Sequence, residues 1–323
     1  MNKKLLSTGI FLSLFGLAGL AQNVPSIVPK NINLFKNIPT LNLTAPNMEA
    51  IRLEDEQNDK NGQLYRIGVA NYTNITTQNS GVWTTDASGN RIWQLRIHFP
   101  GAEALSFLFD RFHIYGSTTF DVLNLNGKKL HETFTAMDVL DHGRQHMELC
   151  FGDDMILQLK EPAGAQASDI YIDRVMYGYR STGNPSKLKD FGDSENCEIN
   201  VNCSPVGDSW QDERNGVARI LVVDGSLQGW CTGSLINNTA QNCKPYFLTA
   251  LHCGVTSTTA NFTQWIFYFK YESSNCTSSN PGTNSTKSIT GCVKTASSND
   301  GGGDTGSDFL LVQLGSIATE SST

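Results

Sequence analysis

Tyr246-Phe247-Leu248-Thr249-Ala250-Leu251-His252-Cys253-Gly254 is an apolar strand that runs straight into a histidine with a cysteine beside it. An imidazole that shuttles a proton must present one ring nitrogen to a nucleophile and the other to an orienting carboxylate, so its backbone has to be immobile. A buried strand and an adjacent disulfide supply that rigidity. A histidine at a strand end is by itself more often packing than chemistry, but two further stretches reverse the balance. In Cys231-Thr232-Gly233-Ser234-Leu235-Ile236, one strand earlier, the cysteine is placed to bridge to Cys253 and staple the histidine turn to its neighbour. In Ser307-Asp308-Phe309-Leu310-Leu311-Val312-Gln313-Leu314 an aspartate opens a strand of nearly continuous apolar residues, which anchors the carboxylate at the strand mouth. Asp308 follows His252 by 56 residues, enough for intervening strands to bring the two side by side.

In this order and local context, the set resembles the first half of a chymotrypsin-type serine protease, and more closely the secreted bacterial lysyl endopeptidases. The resemblance runs from about Glu195 to the end and takes in Cys197, Cys203 and the Asn237-Asn238-Thr239-Ala240 turn. It implies that His252 is general base and then general acid, and that Asp308 fixes its tautomer and stabilises the imidazolium. The implied reaction is peptide-bond hydrolysis through an acyl-enzyme, on protein or peptide substrates, with no cofactor and no metal. The same resemblance pairs Cys203 with Cys276 and sends Cys197 to a partner beyond the chain. Cys243 and Cys292 have no place in that scheme and are left to pair with each other. Cys150 stands alone, as a buried small apolar residue.

Hydrophobic residues make up 39% of the 323 and charged ones 17%, which leaves room for two domains with real cores. The net charge of −7 is uneven: 18 acidic and 18 basic residues run through Lys189, and 13 and 6 follow it. Phosphate neutralisation needs clustered Lys and Arg, so nucleic acid is not an expected partner. Lys3 and Lys4 precede an apolar run from Leu5 to Leu20 and the small residues of Gly19-Leu20-Ala21, which predicts a secretory signal peptide, residues 1–21. The run is short for a membrane span, so no membrane association is expected after cleavage. Export fits the cysteines, because seven of the eight fall between Cys197 and Cys292. No zinc-type spacing competes with that framework. His142 and His146 are four apart, but Gly143 and the strand-like surroundings speak against a metal pair.

Residues 22–47 are polar with scattered prolines and read as an extended leader. From Met48 to Arg180, short apolar stretches alternate with turn residues, as in Arg91 to Phe99, and predict an antiparallel β-sandwich. Ser181 to Ser186 is rich in turn residues and begins a linker, 181–194. A sandwich in this position is similar to the proregions of lysyl-endopeptidase-like proteins, which implies that it packs on the protease domain and covers its cleft. A retained binding module is the alternative. Strands at Arg219–Val223, Trp230–Ile236, Tyr246–Ala250 and Gln264–Tyr271 then make 195–323 one six-stranded barrel of the two such a protease needs.

The expected fold class is therefore all-β, with a sandwich followed by the N-terminal barrel of a chymotrypsin-like serine protease. The nucleophilic serine and its oxyanion loop are not found. Gly303-Asp304-Thr305-Gly306 imitates that loop with a threonine in place of the serine, but it lies before Asp308, on the wrong side of the triad order, and reads as a glycine-rich turn. The expectation is a secreted serine endopeptidase precursor in the form of a fragment that is itself inactive. The competing expectation is a secreted binding protein on a protease scaffold.

Overall fold

Ala104 to Phe109 is buried at every position, whereas a strand with one solvated face would alternate. The reason is visible in a computed structural model, which describes residues 37–180, 197–273, 275–276, 287–300, 302–303 and 306–315. The expected signal peptide, residues 1–21, and the expected linker, residues 181–194, lie outside the described residues.

From Asn37 on, the order is β1 (Thr40–Asn42), α1 (Met48–Lys60), β2 (Tyr65–Thr76), β3 (Val82–Thr85), β4 (Arg91–His98), β5 (Ala104–His113), β6 (Thr119–Leu123), β7 (Gln145–Phe151), β8 (Asp154–Glu161) and β9 (Asp169–Gly178). Then come β10 (Val217–Asp224), β11 (Leu227–Ile236), β12 (Tyr246–Ala250), α2 (Thr259–Phe262), β13 (Ile266–Phe269), β14 (Lys287–Thr290), β15 (Cys292–Ser297) and β16 (Phe309–Leu314). The protein is mostly β, as its strand-sized apolar runs require. Among the described residues no helix is long and apolar enough to cross a membrane.

The strands form three layers. One sheet runs β1-β4-β8-β6, with β3 on β4; the other carries β2-β9-β5-β7. Between them lies an aromatic core with Trp93, Phe107, Phe109 and Phe120 at its centre. The opposite face of the second sheet packs on a third layer, so Leu108 of β5 and Met176 of β9 belong to another core together with Ile220, Phe247 and Trp265. That double burial is why the 104–109 run does not alternate.

The third layer is a nearly closed barrel, β13-β10-β11-β12-β16-β15. β14 pairs with β13 and passes directly into β15 at Gly291, whose φ of 91° makes the corner. The Gly291 N–H donates to Trp265 O at 2.7 Å, and its carbonyl accepts from Gly315 N at 3.0 Å. Counting β14 and β15 as one bent strand gives the six expected. β11 is shared: β12 pairs with Ser234–Ile236, while β2 pairs with Leu227–Trp230. The backbone ladder is therefore continuous from the N-terminal sheet into the barrel.

Two elements add to the strand-only expectation. β1 lies in the stretch read as leader and pairs parallel to β4. α1 opens at Asn47, whose side chain accepts from Ala50 N, and it docks through charge. Its buried Asp55 binds Arg66 Nε at 2.7 Å and the Tyr179 hydroxyl at 2.7 Å. The tyrosine is pushed well above its ordinary pKa by burial, reinforced by that carboxylate.

Cys231–Cys253 and Cys203–Cys276 are both bridged. The pairing of Cys243 with Cys292 is a correction: both are free. Cys243 sits on the exposed β11–β12 turn, while Cys292 is inside the barrel with its Sγ 3.5 Å from Phe262 O. No backbone adjustment of ordinary size joins a surface turn to a core position. Cys150 is buried, and desolvation pushes its thiol up to about 12. Alkylation of the unreduced native protein should therefore modify Cys197 and Cys243 first, and Cys150 and Cys292 only on unfolding, as read by peptide mass mapping. Immediate labelling of Cys292 would contradict the burial.

Candidate active site

β12 ends at Ala250 and the chain tightens into a 3-10 turn, Leu251–Cys253, which turns the His252 ring out of the barrel. β12 pairs with β16, and the register sets Ala250 opposite Phe309. The residue before Phe309 therefore arrives beside the residues after Ala250. Leu251 N donates to Asp308 O at 2.9 Å, and His252 N donates to Asp308 Oδ1 at 2.8 Å. The second carboxylate oxygen lies 2.6 Å from His252 Nδ1. His252 and Asp308 are thus brought together through both backbone and side chain, with both side chains partly exposed.

The geometry selects a tautomer. With Asp308 on Nδ1, the neutral ring carries its proton there and leaves Nε2 free to accept one. Nε2 has no hydrogen-bond partner among the described residues. Burial opposes ionisation of Asp308, but the His252 ring, the His252 backbone N–H and the Gly303 backbone N–H outweigh it and hold the carboxyl below its usual range. Asp308 has φ 46°, a left-handed conformation that a non-glycine residue holds only when its surroundings impose it.

Two supports surround the pair. The Cys231–Cys253 bridge, with Cα atoms 6.2 Å apart, ties the histidine turn to β11, and Thr249 Oγ1 donates to Thr232 O beside it. Trp265 lies under Gly254; a Cβ there would come within 2.7 Å of the indole. The sulfurs of Cys231 and Cys253 and a His252 nitrogen lie within 4.8 Å of one another. Those are zinc-type donors, but the two sulfurs are bonded to each other and neither is available as a thiolate. His142 and His146 serve other purposes: His146 Nδ1 meets Gln264 O, and His142 Nδ1 accepts from Arg144 N.

Gly303 was read in the sequence only as part of a turn, and Gly302 just before it was not singled out. A Cβ on Gly302 would fall 2.9 Å from His252 N and 3.0 Å from Asp308 Oδ1, and its φ is 78°. Only glycine lets this backbone pass so close to the pair. The glycine run before Asp308 was the available signal. Thr305 lies outside the described residues.

With this geometry in place, the family model of the lysyl endopeptidase C-terminal domain matches residues 191–323. Residues 191–323 are lysyl endopeptidase-like. The lysyl endopeptidase of Pseudomonas aeruginosa is 28% identical to this chain over 124 residues, which cover 36% of the chain and 27% of that protein. The match thus spans about a quarter of the relative's length. A cleft of about 710 Å³ has Cys231, Thr232, Trp210, Trp230 and Tyr271 in its wall.

Proposed function

We propose that this chain is the precursor of a secreted serine endopeptidase and carries the histidine and aspartate of its catalytic triad. The observation that carries the reading is the His252 Nδ1 to Asp308 Oδ2 contact of 2.6 Å, which leaves Nε2 as the proton-accepting nitrogen of the neutral ring. His252 takes a proton from a nucleophile through Nε2 and returns it to the leaving amine, while Asp308 stabilises the imidazolium without itself being protonated. A secretory leader at residues 1–21, a proregion built from the N-terminal strands and packed on the protease domain, and protein or peptide substrates complete the proposal. Two disulfides support an oxidising compartment. Cleavage after lysine is the preference suggested by the name of the relative.

The nucleophile and oxyanion donors belong, in this proposal, to a further barrel, since no hydroxyl meets His252 Nε2 among the described residues. Removing one oxyanion donor alone costs about 10² to 10³ in rate, so without that barrel no turnover is expected. The test exports the chain from an oxidising host and assays lysyl and arginyl esters. Turnover that disappears in His252→Ala would overturn the missing nucleophile and direct attention to Thr305. Coding sequence beyond Thr323 tests the enzyme itself: a serine in a glycine-rich turn supports it, and its absence favours a binding protein.

A further inference from the structure

We infer that Asp300 is a positioning residue for the His252–Asp308 pair, its carboxylate shaping the loop that delivers Asp308. The inference rests on the proposed function only in taking these two residues as the working pair. The loop leaves β15 and returns at β16, and its neck is closed by Ser298 N donating to Phe309 O at 2.9 Å. Inside the neck, Asp300 acts as the hub. Its Oδ1 accepts from Ser298 Oγ at 2.6 Å and from Gly302 N at 3.3 Å. Its Oδ2 accepts from Ser307 N at 2.6 Å and from Ser307 Oγ at 3.1 Å.

The two ends of this carboxylate therefore hold the two backbone points that matter for the pair. Gly302 is the residue pressed against His252 N and Asp308 Oδ1, and Gly303, next to it, donates its N–H to the Asp308 carboxylate. Ser307 immediately precedes Asp308 and sets the direction from which its left-handed backbone enters. Gly306 packs directly on the hub: a Cβ there would fall 2.2 Å from Asp300 Oδ2. Asp300 is exposed and, among the described residues, its hydrogen bonds go to Ser298, Gly302 and Ser307 rather than to His252 or Asp308, so it acts through the loop. The donors around it, Ser298 foremost, hold its carboxyl far below the usual range, and it stays a four-bond acceptor throughout the neutral region.

A loop tie of purely structural value would alter stability and nothing else. The distinguishing readout is the His252 Nδ1 proton, which the contact with Asp308 shields from water. In the ¹⁵N-histidine-labelled full chain, this proton should give a downfield resonance that His252→Ala removes. Asp300→Ala should exchange it at least about tenfold faster, the share of one hydrogen bond, with the signals of the other histidines unmoved. Asp300→Asn keeps one acceptor oxygen at the same size and should restore part of the protection. An Asp300→Ala protein that folds and keeps the resonance at the wild-type position and exchange rate overturns the inference. Should that variant not fold, Ser307→Ala removes a single donor from the hub and is judged by the same shift in exchange. A wild-type chain without the resonance would overturn the pair itself, and the inference with it.

Discussion

Trp265→Ala should lower the unfolding free energy by about 4 kcal/mol, in the range for emptying a buried aromatic site. The indole is wholly buried in the barrel core, packs on Phe262 and Phe267, and donates Nε1–H to Val223 O at 2.9 Å. Alanine leaves a cavity and removes one of the two side-chain donors to the Val223 carbonyl, which keeps the Ser257 hydroxyl at 3.0 Å, so the cavity carries most of the loss. The site is ill placed to collapse. One wall is Gly254, anchored through Cys253 and its disulfide, and the other is the Gly291 corner, whose N–H bonds Trp265 O. Trp265→Phe should recover roughly half, since it refills volume without restoring the hydrogen bond. Urea unfolding followed by circular dichroism decides it, and a loss below about 1 kcal/mol for alanine would mean that the core relaxes around the gap.

Acidification should weaken the seam between the N-terminal sheet and the barrel, through His146. This side chain is buried, and desolvation first, with the Arg174 guanidinium adding to it against the bond to Gln264 O, lowers its pKa from 6.5 to about 4. Its Nδ1–H donates to Gln264 O at 2.7 Å, while Nε2 lies 3.1 Å from Gln228 Nε2 and 3.4 Å from Ser106 Oγ. A second ring proton would face the Gln228 amide nitrogen, a donor, and the Ser106 hydroxyl, which already accepts from that amide at 2.8 Å. Arg174 is the charged neighbour in the seam, bonded to Gly225 O, Gln264 Oε1 and Asp173; the other facing groups, Ser106, Gln145, Gln228 and Gln264, are neutral.

The folded pKa lies below the unfolded one, so between them the unfolded chain binds more protons. Stability from this group is complete above pH 6.5 and is lost as pH falls to about 4, by about 3 kcal/mol in total. That window lies above the one in which the depressed carboxyls of Asp308 and Asp86 take up protons. Unfolding free energies measured between pH 7 and 4 should fall accordingly, and His146→Gln should flatten the slope. An unchanged slope in that variant would assign the loss to other groups.

What the sequence determined by itself lies in short windows. The apolar run of Tyr246–Ala250 feeding His252, the run of Phe309–Leu314 behind Asp308 and the cysteine opposite Cys253 each depend on neighbours a few residues away. Strand alternation and burial are local properties, so these elements and their roles as anchors could be read directly. α1 was not read from the sequence, where Met48 to Arg180 was expected to be strands; it packs only Met48 and Ile51 on the core and is held mainly by the Asp55–Arg66 pair, so no long apolar stripe marks it.

Tertiary structure alone decided the rest. Periodicity reports that a face is buried, never against what; the continuous run of β5 meant burial between two cores, and only the β2–β11 ladder reveals the second. The cysteine pairing depended on distance and depth, which put Cys292 in a core and Cys243 on a turn. Asp300 and Gly302 become notable only once a loop closed by long-range strand pairing has folded back on His252, because hydrogen bonds and close approaches are set by separation in space rather than along the chain.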